Sequence, residues 1–447
     1  MASHDTHHLI AAIAVASTHY SLTFSTIIII VVVVVVVVAV KHEARRIKRH
    51  HLKRRVSTAL PHRPPSTAST LPATSAFLHR VMASSSPSQE MLPNQTVFRA
   101  YPQGIYTFSK PFTRAAILPI GGRTTIIRLQ HEPNKGQLFV LASTPVDEAT
   151  KAKVDAILAE GSSSSTSNNN NNNNKVGFLA APDFVHSLYL QQWAAAYPDA
   201  LVVGVQGLEE KNPDIKSWHG IYGRDPPSLT ARYAFEPEIK AAYFPTFGNK
   251  DVVFFHSPTR TLLIADLLFN LPAHEQYANT PAKRATSWIP FLGTLASSLS
   301  PHRALHHSFL WTLGAANPIP PSTAAEAGLT LGKQGGTTEE RRKHFASVAS
   351  QVAAWEPERL IMCHGDVIQD EGSVEGKGTA KRAWIAAFSK VSSRCRSRSH
   401  PVLKGALASH SLLLLLLLLS PSLSVSQPRR LAQSLKSQPS LSVRPPT

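Results

Sequence analysis

The stretch VGFLAAPDFVHSLYLQQWAAAYPDALVVGV, Val176 to Val205, contains a whole strand–helix–strand unit. VGFLA (Val176 to Ala180) and ALVVGV (Ala200 to Val205) are short apolar runs of the kind that are buried on both faces of a sheet. Between them APDFVH turns the chain, and the spacing predicts a helix from about His186 to Tyr197. Two buried strands joined by a helix imply a parallel pair in a covered sheet, and so an α/β class of fold.

Upstream, IYTF, Thr124 to Leu129 and Gln137 to Ser143 are β-branched and aromatic runs separated by Gly121-Gly122 and by Asn134 to Gly136. They read as an antiparallel meander. DEATKAKVDAILAEG follows at helical spacing, with Asp147 in the first turn and Gly161 beyond the end. Downstream, IKAAYF, DVVFFHS and RTLLIAD are three strands, the last two joined by Pro258-Thr259. A helix from about Thr338 to Trp355 carries capping-box spacing at its start, RLIMC is a strand, and KGTAKRAWIAAF is a final helix. Mixed strands early and late, each set with its own helices, predict a four-layer αββα sandwich. Its two mixed sheets carry helices on the outer faces and form two similar halves.

The formal net charge of +18 is concentrated in the tails. Residues 1–80 hold ten Lys or Arg against Asp5 and Glu43, residues 390–447 hold nine with no acid, and about +1 remains for 81–389. The core therefore lacks the charge footprint of a nucleic-acid binder. Two cysteines, Cys363 and Cys395, give neither a disulfide framework nor a cysteine zinc site.

The chain divides into a leader (1–21), an uncharged stretch of nineteen residues (22–40), a basic Ser/Pro-rich linker (41–90), the patterned domain (91–390) and a basic low-complexity tail (391–447). Residues 22–40 are long enough to cross a bilayer as a helix. Eight Lys or Arg follow and none precedes, which places the domain on the cytosolic side. If translation starts at Met82 or Met91, a soluble cytoplasmic protein is expected instead. Residues 161–175, a Ser/Asn insertion, and the eight leucines Leu412 to Leu419 are low complexity, the first expected as a disordered loop.

YPQGIYTFSKPF, GGRTTIIRL, AAPDFVHSLYLQQWAAAYPDA, FFHSPTRTLLIADLLF and CHGD occur in this order between about Tyr101 and Phe388. In that order they resemble the metallo-β-lactamase fold, specifically a branch of it known only as a domain of unknown function. The resemblance implies the same αββα sandwich, with metal ligands on loops at one edge between the sheets. The family's HxHxDH falls on Ala181, Pro182, Asp183, Phe184, Val185 and His186, so one of its histidines is kept. No histidine stands in PTFGNKD, where another is expected. The bridging aspartate falls on Asp266 and the last histidine on His364, so the metal motif is degenerate.

Carried over residue by residue, the resemblance makes His186, Asp266 and His364 metal ligands, with Asp183 a fourth ligand or general base. Zinc takes imidazole and carboxylate ligands, and manganese or iron suit the same donors, so one Zn, Mn or Fe ion is implied. Alternatively these residues are leftovers, Asp183 and His186 merely starting a helix, and no metal binds. His256 and Arg260, in the turn before Asp266, are candidates for binding an anionic substrate group. His302, His306 and His307 look like a cluster, but adjacent residues on a helix point apart, and Cys363 ends a buried strand as inert core. No GxSxG or GxGxxG is present, and GLTLGK before Gln334 is not a phosphate loop. Two functions follow: a mononuclear metal-dependent hydrolase of a small ester or thioester-like substrate, or a catalytically silent, metal-free scaffold tethered to a membrane.

Overall fold

The computed structural model describes residues 87–396 apart from 116, 163–173, 226–232, 237, 288–291, 327–329, 331, 333–334, 371–375 and 377. The candidate span 22–40, most of the Ser/Asn insertion and the tail beyond 396 lie outside the described residues. Among the described residues no helix is long and apolar enough to cross a membrane.

Strands β1 (Ser88–Leu92), β2 (Thr96–Tyr101) and β3 (Ile105–Lys110) form an antiparallel meander that continues, past a two-stranded flap of β4 (Thr113–Arg114) and β5 (Leu118–Pro119), into β6 (Gly122–Arg128) and β7 (Leu138–Leu141). From β7 the pairing turns parallel. Helix α1 (Glu148–Ser162) leads to β8 (Val176–Ala180), α2 (Leu190–Ala196) to β9 (Leu201–Val205), and α3 (Leu208–Lys211) to β10 (Gly220–Tyr222). Together they make an eight-stranded sheet in the order β1-β2-β3-β6-β7-β8-β9-β10. The second sheet has five strands: β11 (Ile239–Tyr243), β12 (Val252–His256) and β13 (Thr261–Ile264) are antiparallel, β14 (Arg359–Met362) is parallel to β13, and β15 (Ile368–Gln369) closes the edge. Each sheet thus opens as an antiparallel meander that passes into parallel pairing, as the two-halves reading expects, although eight strands face five and the smaller sheet has one parallel pair and ends on the antiparallel β15.

The two-residue period of a strand explains the layers. Val252, Phe254, Leu263 and Ile361 belong to the core shared with the first sheet, where Phe254 meets Phe139 edge-on at 5.2 Å. Their neighbours Val253, Phe255, Leu262 and Leu360 belong to a separate core with Phe309, Phe345, Trp384 and Phe388. Those four lie on α4 (Ala304–Leu313), α5 (Thr338–Ala353) and α6 (Thr379–Arg396), which cover the outer face of the second sheet. On the first sheet's outer side α1 buries Val154 and Ile157, and α2 buries Leu190 and Trp193. The Asp147 carboxylate accepts the Thr150 amide and so starts α1; Thr337 and Glu340 form the predicted capping box of α5.

Three boundaries differ from the sequence reading. Strand β1 starts at Ser88, before the expected domain start at 91. Helix α6 runs to Arg396 and buries Val391, so the expected tail from 391 begins inside packed structure. Helix α1 likewise extends to Ser162, past the Gly161 that should have ended it.

A polar clasp joins the sheets at the end where β12 turns into β13. The buried Glu238 carboxylate accepts the backbone N–H groups of Gln130 and His131 and pairs with His256 Nε2 at 2.9 Å. Burial pushes the Glu238 carboxyl up, but the His256 and backbone hydrogen bonds outweigh it and hold it below its ordinary value. A lowered carboxyl contributes stability above its unfolded pKa and loses it as pH falls through the folded value. Glu238→Gln should therefore lower unfolding free energy by about 2 kcal/mol at pH 7. The deficit should shrink on acidification below about pH 4, as checked by urea unfolding at both pH values.

Candidate metal centre

Four chain segments converge at one edge of the sandwich. Strands β13 and β14 are parallel with Ile264 opposite Met362, and two more residues in the same register set Asp266 beside His364. The loop after β8 reaches the same place because its backbone is tied to the second sheet: Val252 N–H donates to the Pro182 carbonyl at 2.7 Å, and Phe184 N–H to that of Asn249 at 2.9 Å. Asp183 and His186 ride on that loop. Gly121, just before β6, is the fourth segment.

The Asp183 carboxylate is fully buried and fully used. Oδ1 accepts the amides of Val185 and His186 at 2.6 and 2.7 Å, and Oδ2 lies 2.6 Å from His186 Nδ1. Burial raises its pKa, yet the His186 charge and these hydrogen bonds prevail and hold it below the usual carboxylate range. It therefore accepts a hydrogen bond from His186 Nδ1–H and aims that imidazole's Nε2 inward. His364 is set in the same manner, because its Nδ1 sits 2.6 Å from the Gly121 carbonyl, which can only accept. Phe269 stacks on its ring at 5.4 Å.

Both Nε2 atoms are thereby turned on each other, 3.0 Å apart. Two lone pairs cannot face each other at that distance without a proton or a cation between them. Burial lowers the His186 pKa, but Asp183 and then Asp266 raise it further, so the net direction is up; burial and the His186 charge push His364 well down. With no ion between them the geometry calls for one proton between the two Nε2 atoms, and these directions favour its place on His186.

Asp266 completes the group. Its Oδ2 accepts from Asn249 Nδ2, whereas Oδ1 is buried with no hydrogen-bond partner and lies 3.5 Å from His364 Nε2. Burial is the main cause that raises this carboxyl, to about 6. One donor atom each from His186, Asp266 and His364 lies within 4.8 Å of the others. Two imidazoles with their Nδ1 protons already committed, and an orphaned carboxylate oxygen, fit a divalent ion of the zinc type.

The sequence reading missed two members. Asn249 and Asp251 stand in PTFGNKD, which was notable for lacking a histidine. Asp251 is fully buried, neither of its oxygens has a partner in ordinary hydrogen-bond geometry, and burial followed by the Asp183 and Asp266 charges pushes it well up. The amides of Leu267 and Asp266 are close enough to offset part of that rise. The available signal was an acid directly preceding the apolar VVFF.

Other candidates are not brought here. His256 is buried between Glu238 and Thr259, and Arg260 pairs with Glu358 at 2.7 Å. His256 ends β12 and Arg260 immediately precedes β13, whereas Asp266 follows the far end of β13, so strand direction separates them from the cluster. His306 is buried with its pKa pushed down to about 3, and His307 bonds the Pro301 carbonyl instead. Cys363 is a buried thiol pushed up by burial.

Beside the cluster opens a cavity of about 100 Å³, lined by Phe112, Arg114, Val185, Leu188, Tyr189 and both histidines among others. Lys110 and Arg123 also reach it, and none of the lining residues is acidic.

No protein-family model matches the chain, and no curated protein matches it. Solved structures with some likeness include a DIM-1 metallo-β-lactamase exposed to ceftazidime (10% identity, 68% of this chain and 100% of that one, TM-score 0.37). Others are a metallo-β-lactamase from Pontibacter korlensis (9%, 66% and 99%, 0.35) and one from Erythrobacter litoralis with β-mercaptoethanol in its active site (7%, 68% and 100%, 0.38). Scores this low assign neither activity, substrate nor metal to this chain.

Proposed function

We propose that the protein is a mononuclear metal-dependent hydrolase of a small substrate, its ion held by His186, Asp266 and His364. The observation behind this reading is the pair of Nε2 atoms aimed at each other beside a partnerless Asp266 Oδ1. A divalent ion there would polarise a scissile carbonyl and lower the pKa of water toward 7. Zinc suits the donors best, with manganese or iron as alternatives.

The chain's own residues supply the rest. Both Asp183 oxygens are engaged with Val185 and His186, which suits a role in holding the His186 tautomer better than one as general base. The cavity of about 100 Å³ beside the ion site is large enough for an ester or thioester group. Arg114 on its wall offers charge to an anionic end of the substrate, and Leu188, 52% exposed, gives an apolar rim. With Zn²⁺ supplied, turnover of short-chain esters or thioesters is expected, abolished by chelation and restored by metal. Turnover that survives chelation, or none across the series, contradicts the reading.

One feature of the geometry favours the silent scaffold instead. A single proton between the two Nε2 atoms, with His186 Nδ1 on Asp183, would satisfy those ring nitrogens without any ion.

A further inference from the structure

Within the Gly121-Gly122-Arg123 tripeptide, the arginine is the most deeply committed cation near the site. Arg123 is fully buried on β6 of the first sheet, yet its guanidinium crosses to the second. Nη1 donates to the carbonyls of Met362 at 2.6 Å and Gly365 at 2.7 Å, which bracket Cys363-His364. Nε donates to Ser109 Oγ at 2.9 Å, and Nη2 reaches Glu275 Oε1 at 3.3 Å. The same loop is gripped from its other side by Gln276, whose Nε2 donates to the Cys363 carbonyl and whose Oε1 accepts the Gly365 amide, both at 2.8 Å.

Burying an arginine is costly unless its donors are satisfied, and here Nη1 meets both carbonyls while Nε and Nη2 anchor on Ser109 and Glu275, a three-nitrogen hold that a single lysine ammonium cannot reproduce. Two peptide planes, one on each side of His364, are thereby fixed. The ring itself is fixed by the Gly121 carbonyl two residues before Arg123. Gly121 has φ +71°, and a Cβ there would come within 2.2 Å of Gln276 Oε1, so backbone and clamp are built around each other.

We infer that Arg123, acting with Gly121, is a positioning residue for His364, so that metal affinity depends on this one clamp between the sheets at the His364 end. This rests on the metal reading above. Removal of partners that orient a metal ligand typically weakens binding about ten- to a hundredfold.

The test is Zn²⁺ titration calorimetry on the full chain, comparing wild type, Arg123→Lys and Glu238→Gln. Arg123→Lys keeps the charge but loses the fork, and a loss of at least about tenfold in affinity is expected. Glu238→Gln breaks a buried network remote from the cluster and should stay within about threefold. Lysine binding as well as arginine, or an equal loss in Glu238→Gln, overturns the inference. If Arg123→Lys does not fold, Ser109→Ala removes one acceptor of the guanidinium and leaves the charge in place; a measurable loss supports the clamp and wild-type affinity overturns it. If wild type takes up no Zn²⁺, the hydrolase reading fails alone. The clamp is then read from the His364 Nδ1–H resonance in ¹⁵N-labelled metal-free protein. Its loss in the variant supports positioning, and its persistence overturns it.

Discussion

His364→Ala should reduce Zn²⁺ affinity by more than about a hundredfold, beyond what loss of an orienting group costs. The substitution leaves His186 and Asp266 as the two remaining donors of the cluster, fewer than the three protein ligands usual in catalytic zinc sites. It also frees the Gly121 carbonyl and exposes the face of Phe269 on which the ring stacks. The two functional readings part here. In a metal site the dominant change is affinity, whereas in a silent network the loss of the His364 acceptor strands the His186 imidazolium and appears as lowered stability, with no metal effect to lose. Calorimetry and thermal unfolding on the same variant separate the two.

Gly365→Ala is expected to be the most destabilising single-methyl change near the site. Gly365 has φ +98°, and a Cβ there would lie 2.3 Å from the Asn270 carbonyl oxygen and 2.8 Å from its nitrogen. Backbone cannot swing aside as a side chain can, because Asp366 N–H donates to that same carbonyl and Asn270 N–H to that of His364. Conformational strain and the clash together should cost about 3–5 kcal/mol, lowering the melting temperature by roughly 10 °C for a domain of this size. Differential scanning calorimetry checks it. A drop under about 2 °C would show that the loop yields.

Both variants act on one short segment, and it shows what sequence can and cannot carry. Strands β8, β9, β12, β13 and β14 were legible because each is a compact apolar run, and β13–β14 register then follows from their being parallel neighbours. Asp266 and His364 were legible as polar residues ending such runs. The orienting partners were not. Gly121 and Gln276 lie 243 and 89 residues from the groups they hold, and no local pattern encodes such a pairing. The helix predicted from His186 starts at Leu190 because the Asp183 side chain takes the amides of Val185 and His186 into a turn that aims the imidazole. Strands β1 and β2 and the short helix His274–Tyr277 went unread because their few residues show no period, although that helix supplies both Glu275 and Gln276.

The clasp around His256 marks the opposite lesson. A histidine and an arginine in one turn looked like an anion site, but Glu238, eighteen residues earlier, already satisfies the histidine from within the core. Proximity in sequence to a candidate ligand, here Asp266, does not survive a strand that carries the chain to the other end of the sheet.

The stoichiometry of Zn²⁺ taken up by the purified full chain tests the central claim most directly. One equivalent per chain, lost in His364→Ala, is the predicted result; less than about a tenth of an equivalent at saturating zinc would contradict it.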